Sequence, residues 1–180
     1  SVGDFNNDVK LDLATANVTD NSVSVLLRNA SNTGFDSRVD YSTSAAPQSV
    51  GVGDFNGDGK PDLVTANTGS NTVSVLLRNS TNTGFEAKVD YVTSGNPQSV
   101  SVGDFNNDSK LDLATINTGS NVISVLLRNT ANTGFNSKID YVVSGNPHSV
   151  SIGDFNNDGK TDLASSYYDS SGSVSVLLNN

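Results

Sequence analysis

Gly53-Asp54-Phe55-Asn56-Gly57-Asp58-Gly59-Lys60-Pro61-Asp62-Leu63 decides the reading of this chain, because it recurs. Gly3-Asp4-Phe5-Asn6, Gly103-Asp104-Phe105-Asn106 and Gly153-Asp154-Phe155-Asn156 open near-copies at a spacing of 50 residues. A fixed period of this size marks a repeat architecture in which each unit is one supersecondary block. Within one period the pattern predicts strands at Ser99–Phe105, Leu111–Ile116, Val122–Leu127 and Ser137–Val143. The strands rest on apolar alternation, as in Val23, Val25 and Leu27, with turn residues every eight to twelve positions or so. No segment carries a helical period. Small strand residues such as Ser24, Ala14, Ala16 and Gly51 suit sheets that lie close face to face.

Four strands per repeat, stacked so that each sheet covers its neighbour's apolar face, predict an all-β fold. The expected architecture is a β-propeller-type array of four-stranded antiparallel blades, about 50 residues per blade. One repeat domain spans 1–180, with blades at approximately 1–45, 46–95, 96–145 and 146–180. That is roughly 3.6 blades, the last incomplete. The chain starts Ser1-Val2, inside a first strand and without a Met or signal peptide, and stops after a third strand. It therefore reads as a fragment of a longer repeat protein, or as an open protomer that closes or extends through its neighbours.

The stretch 53–63 followed by Asn71-Thr72-Val73-Ser74-Val75-Leu76-Leu77 resembles the FG-GAP/VCBS repeat, including the extracellular α-integrin type. The resemblance covers nearly the whole chain, four times over. It implies a propeller, often seven-bladed, with calcium in the loop between the first two strands of a blade.

Bulk chemistry narrows the function. The 180 residues carry 24 Asn, 27 Ser and 15 Thr, so short hydrogen-bonding groups supply the polarity, and only 34% of residues are hydrophobic. A net charge of −9 excludes phosphate-backbone attraction, and with it nucleic acid. The absence of Cys removes disulfides, thiolate metal sites and cysteine catalysis, and a single His argues against a His-based zinc site or triad. No apolar run is long enough for a membrane span.

Each repeat contains D-x-N-x-D-x-K-x-D: Asp4, Asn6, Asp8, Lys10, Asp12; Asp54, Asn56, Asp58, Lys60, Asp62; Asp104, Asn106, Asp108, Lys110, Asp112; Asp154, Asn156, Asp158, Lys160, Asp162. Side-chain oxygens at positions 1, 3, 5 and 9, with a main-chain carbonyl from the Lys at position 7, form a cage of hard oxygens of the kind Ca²⁺ takes. Twelve of the 18 Asp lie in these loops, three per loop, where mutual repulsion calls for a cation. Up to four Ca²⁺ are expected, one per repeat. The competing reading is that Asp and Asn build turns through side-chain to backbone bonds. Position 6 is Gly59 and Gly159 but Val9 and Ser109 elsewhere, which ranks the loops at 54–62 and 154–162 strongest and 4–12 weakest.

Other residues weigh less. His148 stands where Gln48 and Gln98 stand in other repeats. Phe5, Phe55, Phe105 and Phe155, with Phe35, Phe85 and Phe135, read as core anchors. Tyr41, Tyr91, Tyr141, Asp40, Asp90 and Asp140 read as strand-surface or inter-blade features. Tyr167 and Tyr168 replace Asn-Thr in a turn lengthened by one residue, Asp169 to Gly172, and as exposed aromatics are candidate ligand contacts for sugar rings. Sequons fall at Asn17, Asn29, Asn79 and Asn107, with Asn29 and Asn79, in the same turn, the plausible glycan acceptors.

A repeated saturated cage with few unique residues is not an active site, which needs unequal groups or a metal with an open position. The sequence reads as non-enzymatic: an extracellular or cell-surface, calcium-stabilised repeat protein for adhesion or for carbohydrate or protein recognition. The alternative is a structural subunit of an extracellular filament or surface layer assembled through its terminal blades. A third reading is a lectin with inter-blade sugar sites. Expected partners are a protein or glycan ligand, or further copies of the chain.

Overall fold

A computed structural model describes residues 1–168 and 172–179 of the chain. Fifteen strands form four antiparallel meanders and no helix is present among these residues. The first blade is β1 (Val2–Gly3), β2 (Asp12–Asn17), β3 (Ser22–Leu26) and β4 (Val39–Ser42). The second is β5 (Pro47–Gly53), β6 (Asp62–Asn67), β7 (Thr72–Leu76) and β8 (Val89–Val92). The third is β9 (Pro97–Gly103), β10 (Asp112–Asn117), β11 (Val122–Leu126) and β12 (Ile139–Val142). The fourth has three strands, β13 (Pro147–Gly153), β14 (Asp162–Tyr167) and β15 (Val174–Leu177). Strands pair in chain order, each with the next. The first strands end at the glycine before the Asp-Phe pair, so Phe105 belongs to the loop and not to the strand expected to end on it.

Tight corners explain the Asn content. Eleven described Asn residues, among them Asn21, Asn71 and Asn121 at the β2–β3, β6–β7 and β10–β11 turns, have positive φ. Asn tolerates the left-handed region better than other residues with a Cβ.

The core lies between blades. Each inner sheet shows a forward face to the next blade and a rear face to the one before. Val64, Ala66, Val73 and Val75 on the forward face of the second blade pack on Val100, Leu113 and Leu126 of the third. Ala14, Val23 and Val25 meet Leu63 and Leu76 in the same way, and Ala114, Ile116, Ile123 and Val125 meet Val150 and Leu163. Burying each Val or Leu is worth about 1.5–3 kcal/mol, so one blade's stability is held largely by its neighbour.

Small residues set the spacing. A Cβ on Gly53 would lie 2.8 Å from Leu111 Cδ1 and 3.0 Å from Val102 Cγ1, both on the following blade. The array is open. Among the described residues no sheet covers the rear face of the first blade or the forward face of the fourth: Phe5 is 0% exposed but its equivalent Phe155 is 49%, and Phe35 is 37% against 9% for Phe135. Five of the seven phenylalanines are thus core or half-buried anchors, while Phe35 and Phe155 are anchors without a partner blade.

Gly53→Ala is expected to cost about 1–3 kcal/mol through overpacking against Leu111 and Val102, measured by urea unfolding. Trimming Leu111 to Val in the same chain should recover part of the loss.

Candidate functional site

The acidic loops join the first and second strands of each blade, and their hydrogen bonds repeat. In the second blade Asp54 Oδ1 accepts from Gly57 N at 2.7 Å and Asp58 N at 3.1 Å, and Asp54 Oδ2 from Gly59 N at 2.7 Å. Asn56 Oδ1 accepts from Asp58 N at 3.0 Å, and Asp58 Oδ1 from Lys60 N at 3.0 Å. Asp4, Asn6 and Asp8, then Asp104, Asn106 and Asp108, then Asp154, Asn156 and Asp158 accept from the amides of positions 5, 6 and 7 in the same way. The side chains at positions 1, 3 and 5 are therefore gathered around the loop's own backbone, exposed to solvent.

Among the described residues the lysine of position 7 pairs within the first three of these loops. Lys10, Lys60 and Lys110 lie 3.0, 3.4 and 3.0 Å from Asp8, Asp58 and Asp108. Hydrogen bonds from Lys10 and Lys110 are the largest influence holding Asp8 and Asp108 below the usual carboxylate range, while the Lys160 amide does most for Asp158.

The ninth residue turns the other way. Asp12, Asp62, Asp112 and Asp162 are fully buried. Asp62 Oδ2 accepts from Phe55 N at 2.9 Å and Oδ1 from Arg78 N at 2.6 Å. Asp12 joins Phe5 to Arg28, Asp112 joins Phe105 to Arg128, and Asp162 joins Phe155 to Asn179. This carboxylate ties the loop's start to the end of the third strand and leaves its second lone pairs for a cation. Burial pushes Asp62 up to about 6 despite those two amides, and the charges of Asp58 and Asp54 push the same way.

Recurring residues that the sequence reading passed over complete the region. Arg78, buried, stacks over Phe85 at 4.9 Å and bonds Asn82; Arg128 stacks over Phe135 at 4.8 Å and bonds Asn132. Phe85 meets Phe5 and Tyr41 of the preceding blade edge-on at 5.9 and 5.1 Å, and Phe135 meets Phe55 and Tyr91 at 5.9 and 5.2 Å. Burial lowers the pKa of Arg78 and Arg128, opposed by the charges of the preceding blade's Asp12 on Arg78 and of Asp62 and Asp54 on Arg128. Asn132 donates to the carbonyl of Asn56 at 2.8 Å. The first and second acidic loops thus abut the arginine hairpin of the following blade, and the third meets Asn179, which donates to the Phe105 carbonyl at 2.9 Å. The signal was present as Arg-Asn at 28, 78 and 128, replaced by Asn179-Asn180 in the fourth repeat.

The remaining candidates separate. Tyr167 is buried on β14 behind Val150 and Leu163, because strand alternation turns it inward; this corrects its reading as a surface aromatic. Tyr168 is exposed, with its ring 6.3 Å from His148. The two line a shallow hollow with Gln98, Thr118, Asn146 and Pro147. Asp169 to Ser171 of the lengthened turn lie outside the described residues. Asn29 and Asn79 accept from the amides of Thr33 and Thr83 and so cap their turns.

The FG-GAP-like repeat family matches residues 4–65, 54–115 and 107–165. The chain belongs to this family. Among solved structures, it is similar to BBS1N, crystallised in complex with ARL6DN and soaked with lead (12% identity, TM-score 0.62), covering 98% of this chain and 55% of that one. It is also similar to the V. cholerae biofilm matrix protein Bap1 (15% identity, TM-score 0.59), covering 99% of this chain and 28% of that one. The chain therefore spans about half and about a quarter of these two proteins, and the likeness is one of fold. No curated protein matches it.

Hard oxygens alone, three carboxylates to a loop and an amide oxygen suit Ca²⁺ in kind. Among the described residues no three His, Cys, Asp or Glu side chains are gathered tightly enough to hold a metal by themselves. A cation would need Asn6 or its equivalents and main-chain oxygen as well, which the D-x-N-x-D-x-K pattern supplies. The residues fit Ca²⁺ on those terms.

Backbone strain separates the loops. Position 6 has positive φ in all four, 67° at Val9, 81° at Gly59, 63° at Ser109 and 83° at Gly159, and a β-branched residue is poorly suited to that region. Position 4, Asn7, Gly57, Asn107 or Asn157, shares the requirement. Val9→Gly should stabilise the protein by about 1 kcal/mol, because Val9 is exposed and loses strain without losing packing. Gly59→Val should do the reverse, both read by urea unfolding.

Asp62 also gives a pH signature. Its folded pKa lies above the unfolded value near 3.9, so between about pH 4 and 6 the native state binds the proton more tightly. Asp90 and Asp140 titrate below that window: burial raises them, but hydrogen bonds from Lys88, Ser74 and Ser44, or Lys138, Ser124 and Ser94, outweigh it. In chelator, the protein should gain stability through Asp62 as pH falls from 7 to 5, and Asp62→Asn should flatten that part of the profile.

Proposed function

We propose that this chain is a non-enzymatic, extracellular or cell-surface repeat module whose acidic loops hold Ca²⁺ and whose stacked blades present a rigid surface for adhesion or for recognising a protein or glycan. The observation that carries the reading is the fourfold recurrence of one oxygen-rich loop. Asp54, Asn56, Asp58 and the Lys60 carbonyl, with their equivalents in the other repeats, would hold the ion. Bound calcium would supply positive charge against Asp54, Asp58 and the buried Asp62, whose anionic form is disfavoured by burial and by those neighbours. It would thereby brace the loop against the arginine hairpin of the next blade.

Extracellular placement follows from the chemistry. Loops of modest affinity fill at millimolar calcium and stay empty at cytosolic levels. Four ions would bring the net charge from −9 to about −1, relieving self-repulsion. Membership in the FG-GAP-like family and the fold likeness to a biofilm matrix protein support a surface or matrix role. Among the described residues no helix is long and apolar enough to cross a membrane.

The test is thermal unfolding with calcium added to chelator-treated protein. A site with Kd one hundredth of the added calcium contributes about 2.7 kcal/mol, so the melting temperature should climb by several degrees, and less with magnesium. Asp58→Asn and Asp158→Asn should each remove more of that rise than Asp8→Asn. An unchanged melting temperature at millimolar calcium overturns the reading, and equal losses overturn the ranking of the loops.

A further inference from the structure

The second acidic loop departs from the other three at one position that matters chemically. Asn56-Gly57 is the one Asn-Gly pair in the sequence, and the equivalent pairs are Asn6-Asn7, Asn106-Asn107 and Asn156-Asn157. The backbone is the same in all four: φ at position 4 is 64° at Asn7, 76° at Gly57, 59° at Asn107 and 64° at Asn157. One asparagine therefore stands in four near-identical settings within a single chain, and in one of them a glycine follows it.

An asparagine followed by glycine is open to attack on its own side-chain amide. The nucleophile is the next backbone nitrogen, and a glycine there has no Cβ to obstruct its approach. The second loop adds two aids. The Gly57 N–H donates to Asp54 Oδ1 at 2.7 Å, which sets a carboxylate on the proton that must leave as the nitrogen attacks. Asp58 N donates to Asn56 Oδ1 at 3.0 Å, which sets a donor on the oxygen where negative charge develops. The second aid recurs in the other loops, at Asp8, Asp108 and Asp158. The first is confined, among the described residues, to Gly57. Gly57 is exposed and Asn56 half-buried, so water reaches the pair.

We propose that Asn56 is a site of spontaneous, selective deamidation and that Asp54 is its positioning residue. Gly57 N bonds to Asn56 Cγ, the Cγ–Nδ2 bond breaks, and the Gly57 proton passes by way of Asp54 to the departing nitrogen, which leaves as ammonia. Water then opens the cyclic imide at either carbonyl, adding hydroxide to that carbon and a proton to Gly57 N. The products are aspartate in the ordinary chain and aspartate with the chain routed through Cγ. Both place a further carboxylate beside Asp54, Asp58 and Asp62. The rerouted product also displaces the Asn56 carbonyl, which accepts from Asn132 of the third blade at 2.8 Å. The reaction is thus a slow, one-way change at the junction of the second and third blades. It stands independently of the calcium reading.

The test incubates the full chain in warm neutral buffer with chelator and follows the amide-to-acid mass change by peptide mapping. Asn56 should convert about tenfold faster, or more, than Asn6, Asn106 and Asn156. Gly57→Asn copies the other loops at a φ that Asn already adopts in them, and should bring Asn56 down to their rate. Asp54→Asn keeps an oxygen for the Gly57 N–H but removes the charge. It should slow Asn56 several-fold in the folded protein and leave the rate in urea unchanged. Should Asp54→Asn fail to fold, the comparison of the four loops and the Gly57→Asn variant still decide whether Asn56 is the site. A uniform rate at the four asparagines overturns the proposal, as does an unaltered rate in Gly57→Asn. An Asp54→Asn variant that leaves the folded rate unchanged, or slows the chain equally in urea, overturns the role of Asp54.

Discussion

Each blade of this protein is made stable by the one beside it. A sheet rich in Ser, Thr, Ala and Gly has little apolar surface to bury within itself, so its Val and Leu must be covered by the next sheet. The three clusters of buried residues are all inter-blade, and none lies inside a single blade. Gly51 and Gly53 let the first strands approach, and the buried carboxylate of Asp62 or Asp112 fixes the loop against the third strand in the same blade. At the first two interfaces the arginine hairpin of the following blade then closes over that loop, and at the third Asn179 takes its place. Packing, loop geometry and charge therefore meet at one place per interface, and any cation bound by a loop would act at that same place.

This arrangement explains why the ends differ from the middle although their sequences hardly do. Phe155 repeats Phe5 and Phe55, yet it is exposed, because no blade among the described residues packs on it. The polar ladder behaves likewise. Asn67 donates to Ser74 and Ser74 to Asp90, whose carboxylate also takes Lys88 of its own blade and Ser44 from across the blade junction. Among the described residues the fourth blade has no strand to bring the corresponding Asp, and Tyr167 replaces the Asn. There the Ser165 and Tyr167 hydroxyls are buried without a hydrogen-bond partner among the described residues.

The fold was legible because a period of 50 residues leaves few alternatives: strand number, order and the small-residue faces all followed from the repeat. The acidic loops were legible as loops, and the strain at Val9 followed from reading position 6. The task of Asp12 and its equivalents was not legible, since spacing cannot show that a carboxylate turns inward to take two backbone amides. Tyr167 and Tyr168 could have been separated by extending the alternation Leu163, Ser165, Tyr167 through the strand. The Arg-Phe pairs were missed although they recur, because Arg78 and Phe85 stand seven positions apart and meet only when the hairpin folds back.

Native-state hydrogen exchange tests the dependence of each blade on its neighbours most directly. The amides of Phe55 and Arg78, and those of β6, β7, β10 and β11, are flanked by blades on both sides and should exchange slowest, near the global unfolding limit. Phe155, Asn179 and the strands β1 and β15 should open at much lower free energy, though they carry the same motif. Equal protection in all four blades, or greatest protection at the ends, would contradict the claim that stability is held between blades.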